Sequence, residues 1–461
     1  MPSSASTGYT AEHETEPQIE HIIDISKDIG PAMHDLCCIY KVPSNLRKVN
    51  DGEAYEPHLI SIGPLHHNMP KLESMHKQKQ RYFLSFWGRV TNKKSLENYK
   101  DFLKENTDTI RHYYSELDNN SPINENEFVD MILLDSVFIL ELFLRNSDQS
   151  ERKKDYMFTT SWIFKGIQRD LLLLENQLPM FLLEALHRKV YNGNCQSFVE
   201  LAVNYFEDYI PQSSTNDQIK EVMINNFCHF TDLIRSFYLP KEVQEKGWEP
   251  SKHFTPENKR ILKTATRLFE AGVTFEVVHN RAMLEIKFKR IQVLNWFLCL
   301  GCIPGFKFFQ CRLQMPQFKA TQTTECVLRN LIALEQCHYS DQPFICSYVS
   351  LIDSLVNSNQ DVSLLVDKEI IVHELGSNQE LAEMTNGLCK NVVVTNNYYG
   401  KISRKLNDHY YCKWKRYMGM LTSVYFRDPW RISSTAVGIV FFVFAIMNFL
   451  RLVDLYKPKH H

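Results

Sequence analysis

No Gly/Ser-rich or Pro-rich linker interrupts this chain of 461 residues after its first 16. Length alone would allow two or three domains, so the missing linker favours one large domain. An excess of one charge is also missing: 52 Lys and Arg face 54 Asp and Glu, for a net charge of −2. That balance argues against a nucleic-acid partner, which calls for a basic surface. Metal-ribbon and disulfide-framework spacings are absent among the 12 cysteines, whose one C-x-x-C pair, Cys299 and Cys302, lies in the apolar run 291–306. Free buried thiols in a reducing cytosol are therefore expected. The chain has no G-x-S-x-G, P-loop, G-x-G-x-x-G, H-E-x-x-H or kinase motif, which removes the usual support for most hydrolases, transferases and oxidoreductases. No unit of 30 to 45 residues recurs, so a solenoid is not supported. The N-terminal MPSSASTGYTAEHETEPQIEH carries acids, no Lys or Arg, and no apolar core, so it does not read as a signal peptide.

What is present is apolar weight. With 44% hydrophobic and 12% aromatic residues, the chain can bury a sizeable core. Near its end, residues 432–450 (ISSTAVGIVFFVFAIMNFL) run for 19 residues without a charge. A helix of that length matches a bilayer core of roughly 30 Å. Trp430 and Tyr456 can sit at its interfaces, and Arg427, Arg431, Arg451 and Lys457 flank it. The expectation is a single C-terminal transmembrane helix that includes Ile432, Val437, Phe441, Phe444 and Leu450. Five basic residues in the 20 before Ile432 (Lys413, Lys415, Arg416, Arg427, Arg431), against three after Leu450 (Arg451, Lys457, Lys459), favour a tail-anchored, single-pass protein with its bulk in the cytosol. The sequence does not separate the plasma membrane from an endomembrane.

Periodicity makes the rest mainly α. Helical runs read at 68–92, 98–116, 125–145, 160–190, 197–210, 218–237, 257–271, 324–338, 345–357, 361–372, 377–391 and 396–426, with a further short helix at 18–29. Alternation at 274–278 and 283–288 predicts a minor β-hairpin around His279, Asn280 and Arg281. Between 38 and 67, Pro43, Pro57, Gly63 and Pro64 break helix and predict an ordered irregular region with one or two short strands. The predicted organisation is a disordered polar segment at 1–16, a large helical domain at 17–426, the span at 432–450 and a short basic tail at 451–461.

The block 38–83 opens with CIYKVP and ends in LESMHK and RYF. Later come 128–145 (FVDMILLDSVFILELFLR), 170–183 (DLLLLENQLPMFLL), 265–275 (ATRLFEAGVTF), 329–339 (RNLIALEQCHY), 361–386 and the Asp428-Pro429-Trp430 tail. In order and spacing these blocks resemble the plant family called domain of unknown function 247, over nearly the whole chain from about residue 20. The resemblance implies a plant protein, mostly helical, with a C-terminal membrane segment. Some grass members of the family are linked to pollen-side self-incompatibility. It implies no catalytic activity and supplies no catalytic residues. One departure is an apolar stretch of roughly 20 residues at 291–312, between Leu284-Glu285-Ile286-Lys287-Phe288 and Leu313-Gln314-Met315-Pro316. It is too short and too broken by Pro304 and Gly305 for a second span, and is either a hydrophobic loop or a retained intron or gene-model error.

Candidates for chemistry are few. Glu-x-x-His spacing, which sets two ligands on one helix face as in di-iron carboxylate bundles, occurs at Glu73/His76, Glu184/His187, Glu276/His279 and Glu335/His338. Glu184, His187, Glu335 and His338 are the metal candidates, with Glu141 and Glu175 as possible further carboxylates. Against them stands the reading that such residues satisfy helix ends and core contacts. Asp135, Glu141 and Glu175 lie in apolar runs, where a buried carboxylate serves as acid or base, or pairs with Arg145, Arg169 or Arg329. His66-His67 is read as a turn rather than a ligand pair. The expected function is a non-enzymatic interaction, recognition or signalling protein at a membrane, without cofactor, bound to the bilayer and to a protein partner. The alternative is an unrecognised or metal-dependent enzyme that uses the Glu/His pairs.

Overall fold

The computed structural model describes residues 34–50, 52–90, 92–115, 117, 123–191, 196–211, 226–240, 243, 261–279, 281–292, 309–412 and 429–455. Outside them lie the segment 1–16, the helix expected at 18–29, most of the apolar stretch 291–312 with Cys299 and Cys302, and the end of the basic tail.

The longer helices are α1 (Glu73–Arg89), α2 (Lys94–Glu105), α3 (Glu125–Ser147), α4 (Ser161–Asp170), α5 (Met180–Val190), α6 (Phe198–Tyr205) and α7 (Phe230–Tyr238). After them come α8 (Ala265–Glu270), α9 (Gln322–Cys337), α10 (Phe344–Leu355), α11 (Asn359–Asp367), α12 (Asn378–Leu388), α13 (Gly400–Tyr411) and α14 (Pro429–Leu455). The mainly α expectation holds because nearly every predicted helical run contains a helix.

Two helices organise the packing. Helix α3 starts where Asn124 accepts a hydrogen bond from the Glu127 N–H at 2.9 Å, and no Gly or Pro interrupts it. It is apolar almost all round, which is the pattern of a helix buried on every side. Helices α1, α2, α5 and α6 pack around it. Its Phe143 ring lies 4.7 Å from Tyr205, 5.5 Å from Phe230 and 5.7 Å from Phe198, close enough for aromatic pairing to add to area burial. Helix α9 is the second centre and contacts α4, α7, α10 and α12.

The small sheet differs from the predicted hairpin. Strand β1 (Val273–Val278) does not pair with β2 (Lys287–Gln292). Strand β3 (Phe309–Pro316) lies between them, parallel to β1 with Val273 opposite Cys311, and antiparallel to β2 with Lys287 opposite Gln314. Cys311, Leu313, Met315 and most of Gln314 are buried, so β3 takes the central position that a strand buried on both faces requires. Two short strands, β4 (Phe318–Ala320) and β5 (Ile371–His373), form a second, parallel pair.

The expected transmembrane helix is not supported. Among the described residues, no helix is long and apolar enough to cross a membrane. Helix α14 does form, over Pro429–Leu455. A span needs about 20 consecutive apolar residues. Val437, Phe441, Phe444 and Leu450 are exposed on it, and the side chain of Ile432 lies outside the described residues. The reading of these five residues as a membrane span, and the single-pass, tail-anchored topology that rested on it, are withdrawn.

Candidate functional site

Among the described residues, 38–66 make no regular sheet and have one backbone bridge, Ile39 to Tyr114, which is isolated, so their buried N–H groups need other acceptors. The acceptors come from 170–177, where the predicted 160–190 helix breaks into α4 and α5. Asp170 is buried and takes the N–H groups of His58 at 3.0 Å, Leu59 at 2.6 Å and Ile60 at 3.0 Å, with the Arg169 guanidinium 2.7 Å away. Asn176 accepts from the Ile62 N–H at 2.6 Å and donates to the Ile60 carbonyl at 3.0 Å. Gln177 donates to the carbonyls of Leu171 and Leu173, both at 2.7 Å, and accepts from the Phe230 N–H at 3.0 Å. Glu175 accepts from the Val42 N–H at 2.6 Å, pairs with Arg47, and lies 3.1 Å from His66 Nε2. Asp135 of α3 takes the Gly63 N–H at 2.8 Å and Lys79 Nζ at 2.5 Å. Gly63 has φ +71°, and a Cβ there would meet the Gln177 carbonyl oxygen at 2.7 Å, so only glycine fits.

Burial and hydrogen bonding compete at these carboxylates. At Asp170 burial outweighs three N–H donors and raises the pKa above the usual range. At Glu175 burial also pushes up, but the nearby His66 and Arg47 side chains and the hydrogen bond from the Val42 N–H prevail and the pKa falls. The sequence reading paired Asp135, Glu141 and Glu175 with Arg145, Arg169 or Arg329. Glu141 does pair with Arg145 at 2.8 Å, whereas Asp135 takes Lys79, Glu175 takes Arg47, and Arg329 takes Glu325 at 2.7 Å.

The four metal candidates point to different partners. Glu335 is fully buried at the end of α9, 3.0 Å from Arg235 Nε and accepting from the N–H groups of Ile345 at 3.0 Å and Cys346 at 2.9 Å. Burial outweighs those contacts and raises its pKa. His338 caps α9, with Nδ1 2.9 Å from the Tyr40 hydroxyl. Glu184 and His187 lie on α5; the His187 ring packs against Tyr191 and Phe198, and its Nε2 is buried without a hydrogen-bond partner. Among the described residues, no three His, Cys, Asp or Glu side chains are arranged to hold a metal ion. The pair Glu276/His279 belongs to β1 and its end, where residues three apart fall on opposite faces.

A constellation that spacing could not reveal joins three distant stretches. His229, just before α7, sets its Nε2 3.1 Å from the Cys38 carbonyl oxygen, and the Tyr40 hydroxyl lies 2.9 Å from His338 Nδ1. Separations of 191 and 298 residues left no local signal for it. The signal for the polar lock was present, because Glu175-Asn176-Gln177 interrupts the run 171–178 with three polar residues.

The comparisons with known proteins agree over most of the length. UPF0481 protein At3g47200 of Arabidopsis thaliana is 27% identical over 447 residues, covering 92% of this chain and 88% of its own. A second UPF0481 protein of the same plant, At3g02645, is 23% identical over 540 residues, covering 98% of each chain. No solved structure matches. The pattern that defines the plant proteins of unknown function, domain of unknown function 247, matches residues 39–444, and the chain belongs to that family.

Proposed function

We propose that this protein is a non-enzymatic recognition protein whose rigid helical body presents a surface to a protein partner. The observation that supports the reading is the spending of its motif residues on internal structure. Asp135, Asp170, Glu175 and Glu335 are buried, and each is engaged by backbone N–H groups together with Lys79, Arg169, Arg47 or Arg235. A general acid or base instead needs a face open to substrate. The reading sets the body in the cytosol, in keeping with nine described cysteines that are free thiols. Net charge −2 keeps nucleic acid out of the proposal.

The partner surface we favour is the cleft of about 410 Å³ between α9 and α12, lined by Glu325, Arg329, Glu380, Glu383, Met384 and Lys390. Its two exposed carboxylates on α12 suit a partner segment that inserts a basic side chain. Proximity labelling with the full-length chain in plant tissue, repeated with Glu383→Lys, tests this. The variant is expected to lose specific partners without a change in melting temperature. Identical labelled sets would refute the cleft, and catalytic turnover of a metabolite by the purified chain would refute the non-enzymatic reading.

A further inference from the structure

The chain is close to neutral, with a net charge of −2, yet its charges are sorted between two successive helices. The outer face of α12 carries Glu380 and Glu383, both exposed. Their contacts stay local: Glu380 accepts from the Gly376 N–H at 2.8 Å and Glu383 from Gln379 Nε2 at 3.0 Å. The outer face of α13 carries Lys401, Arg404 and Lys405, and Lys289 is exposed on β2, against which α13 packs. Among the described residues none of these side chains has an ion-pair partner.

Helix α13 presents its cations from a fixed position. Leu406, Asn407 and His409 on its inner face are buried. The His409 ring has Nε2 2.9 Å from the Ala271 carbonyl oxygen and Nδ1 3.3 Å from Cys311 Sγ on β3. Nothing within the helix favours the outer face. Its first turn holds no acid and its N-cap makes no side-chain hydrogen bond, so Lys401 sits at the positive end of the helix dipole, and Lys401 and Lys405 are like charges one turn apart. Both features cost the helix stability, and a carboxylate brought to this face relieves both.

The spacings of the two faces match. Glu380 and Glu383 are three residues apart on α12, as are Lys401 and Arg404 on α13, so each pair lies on one helix face with a rise of about 4.5 Å between its members. Laid parallel, α13 sets Lys401 beside Glu380 and Arg404 beside Glu383. The remaining charges also fall with opposite signs together, because Asp408 of α13 is then carried toward Lys390, the cation at the far end of the cleft.

We propose that the basic segment received by the cleft is α13 of a second copy of this chain, with Lys401 and Arg404 docked on Glu380 and Glu383. The inference rests on the cleft reading above and names its occupant. The two faces are different surfaces of one molecule, so the contact is heterologous and joins copies head to tail. Its charges lie on exposed faces, which makes the association sensitive to salt.

Sedimentation velocity of the full-length chain tests this. The wild type should associate at micromolar concentration in about 50 mM salt and at least about tenfold more weakly in about 500 mM. Arg404→Glu and Glu383→Lys should each weaken association by about tenfold or more, and the double variant Glu383→Lys/Arg404→Glu should regain it, because the reversed pair again has opposite signs. A purely structural role for either residue predicts no such rescue. A wild-type chain that stays monomeric to about 50 µM refutes the proposal. So does a double variant no stronger than the single ones, or an association indifferent to both salt and the single reversals. None of these results touches the cleft itself: if Glu383→Lys still loses labelled partners other than this chain, the cleft stands and only the second copy is overturned.

Discussion

Replacing Asp170 by alanine strips the acceptor from three consecutive backbone N–H groups. The His58 N–H belongs to an exposed residue and can turn to water, but those of Leu59 and Ile60 lie progressively deeper, and Ile60 is fully buried. An unsatisfied buried donor costs about 1–3 kcal/mol, so two of them cost about 2–6 kcal/mol. Part is returned because burial already disfavours the Asp170 charge. The expected net loss for Asp170→Ala is about 2–4 kcal/mol, read as a shift of the urea midpoint at constant slope. Hydrogen exchange adds a local readout: the amides of Leu59 and Ile60 should lose protection far beyond those of α3. Asp170→Asn, which keeps one carbonyl oxygen but turns an NH2 group toward the donors, should fall in between. A midpoint for Asp170→Ala within about 0.5 kcal/mol of wild type, or unchanged protection at 59 and 60, would refute the view that 170–177 holds 38–66 in place.

Gly63→Ala should cost about 2–3 kcal/mol, from the left-handed backbone and the contact with the Gln177 carbonyl; thermal unfolding that matches wild type would contradict this. His229 is buried and its pKa is lowered to about 4 from an unfolded value near 6.5. Its contribution is complete above the unfolded value and is lost as pH falls from about 6.5 to about 4, to a total of about 3 kcal/mol. Urea midpoints at pH 7 and 5.5 should therefore differ less in His229→Gln than in wild type. His187→Phe buries no lone imidazole nitrogen and should be neutral to stabilising by about 1 kcal/mol, with metal content by plasma mass spectrometry unchanged; loss of a stoichiometric metal would restore the ligand reading.

Helix positions were legible because a period of 3.6 is a local property. The 125–145 run became α3, 324–338 became α9 and 345–357 became α10. Where one predicted helix covered 160–190, the reading failed because the inward-turning Glu175 and Asn176 serve a segment more than a hundred residues away and Gln177 serves the start of α7, 53 residues on. The β-hairpin failed for a similar reason: alternation marked β1 and part of β2 but carried no information about β3 coming between them. The apolar run at 432–450 was read against bilayer thickness, and that reading fails because among the described residues no helix meets the length and apolarity a span requires.

By itself the sequence determined the helical class, the position of most helices, the neutral charge balance and, through its ordered motif blocks, the family. These follow from composition and from spacings of a few residues. Only the tertiary structure decided the use of each polar group. Asp170 holds three N–H groups of 58–60, Glu335 meets Arg235, and His338 meets Tyr40. A buried polar group is set by its partner, and these partners lie about 100 or more residues away along the chain, where no local periodicity reaches.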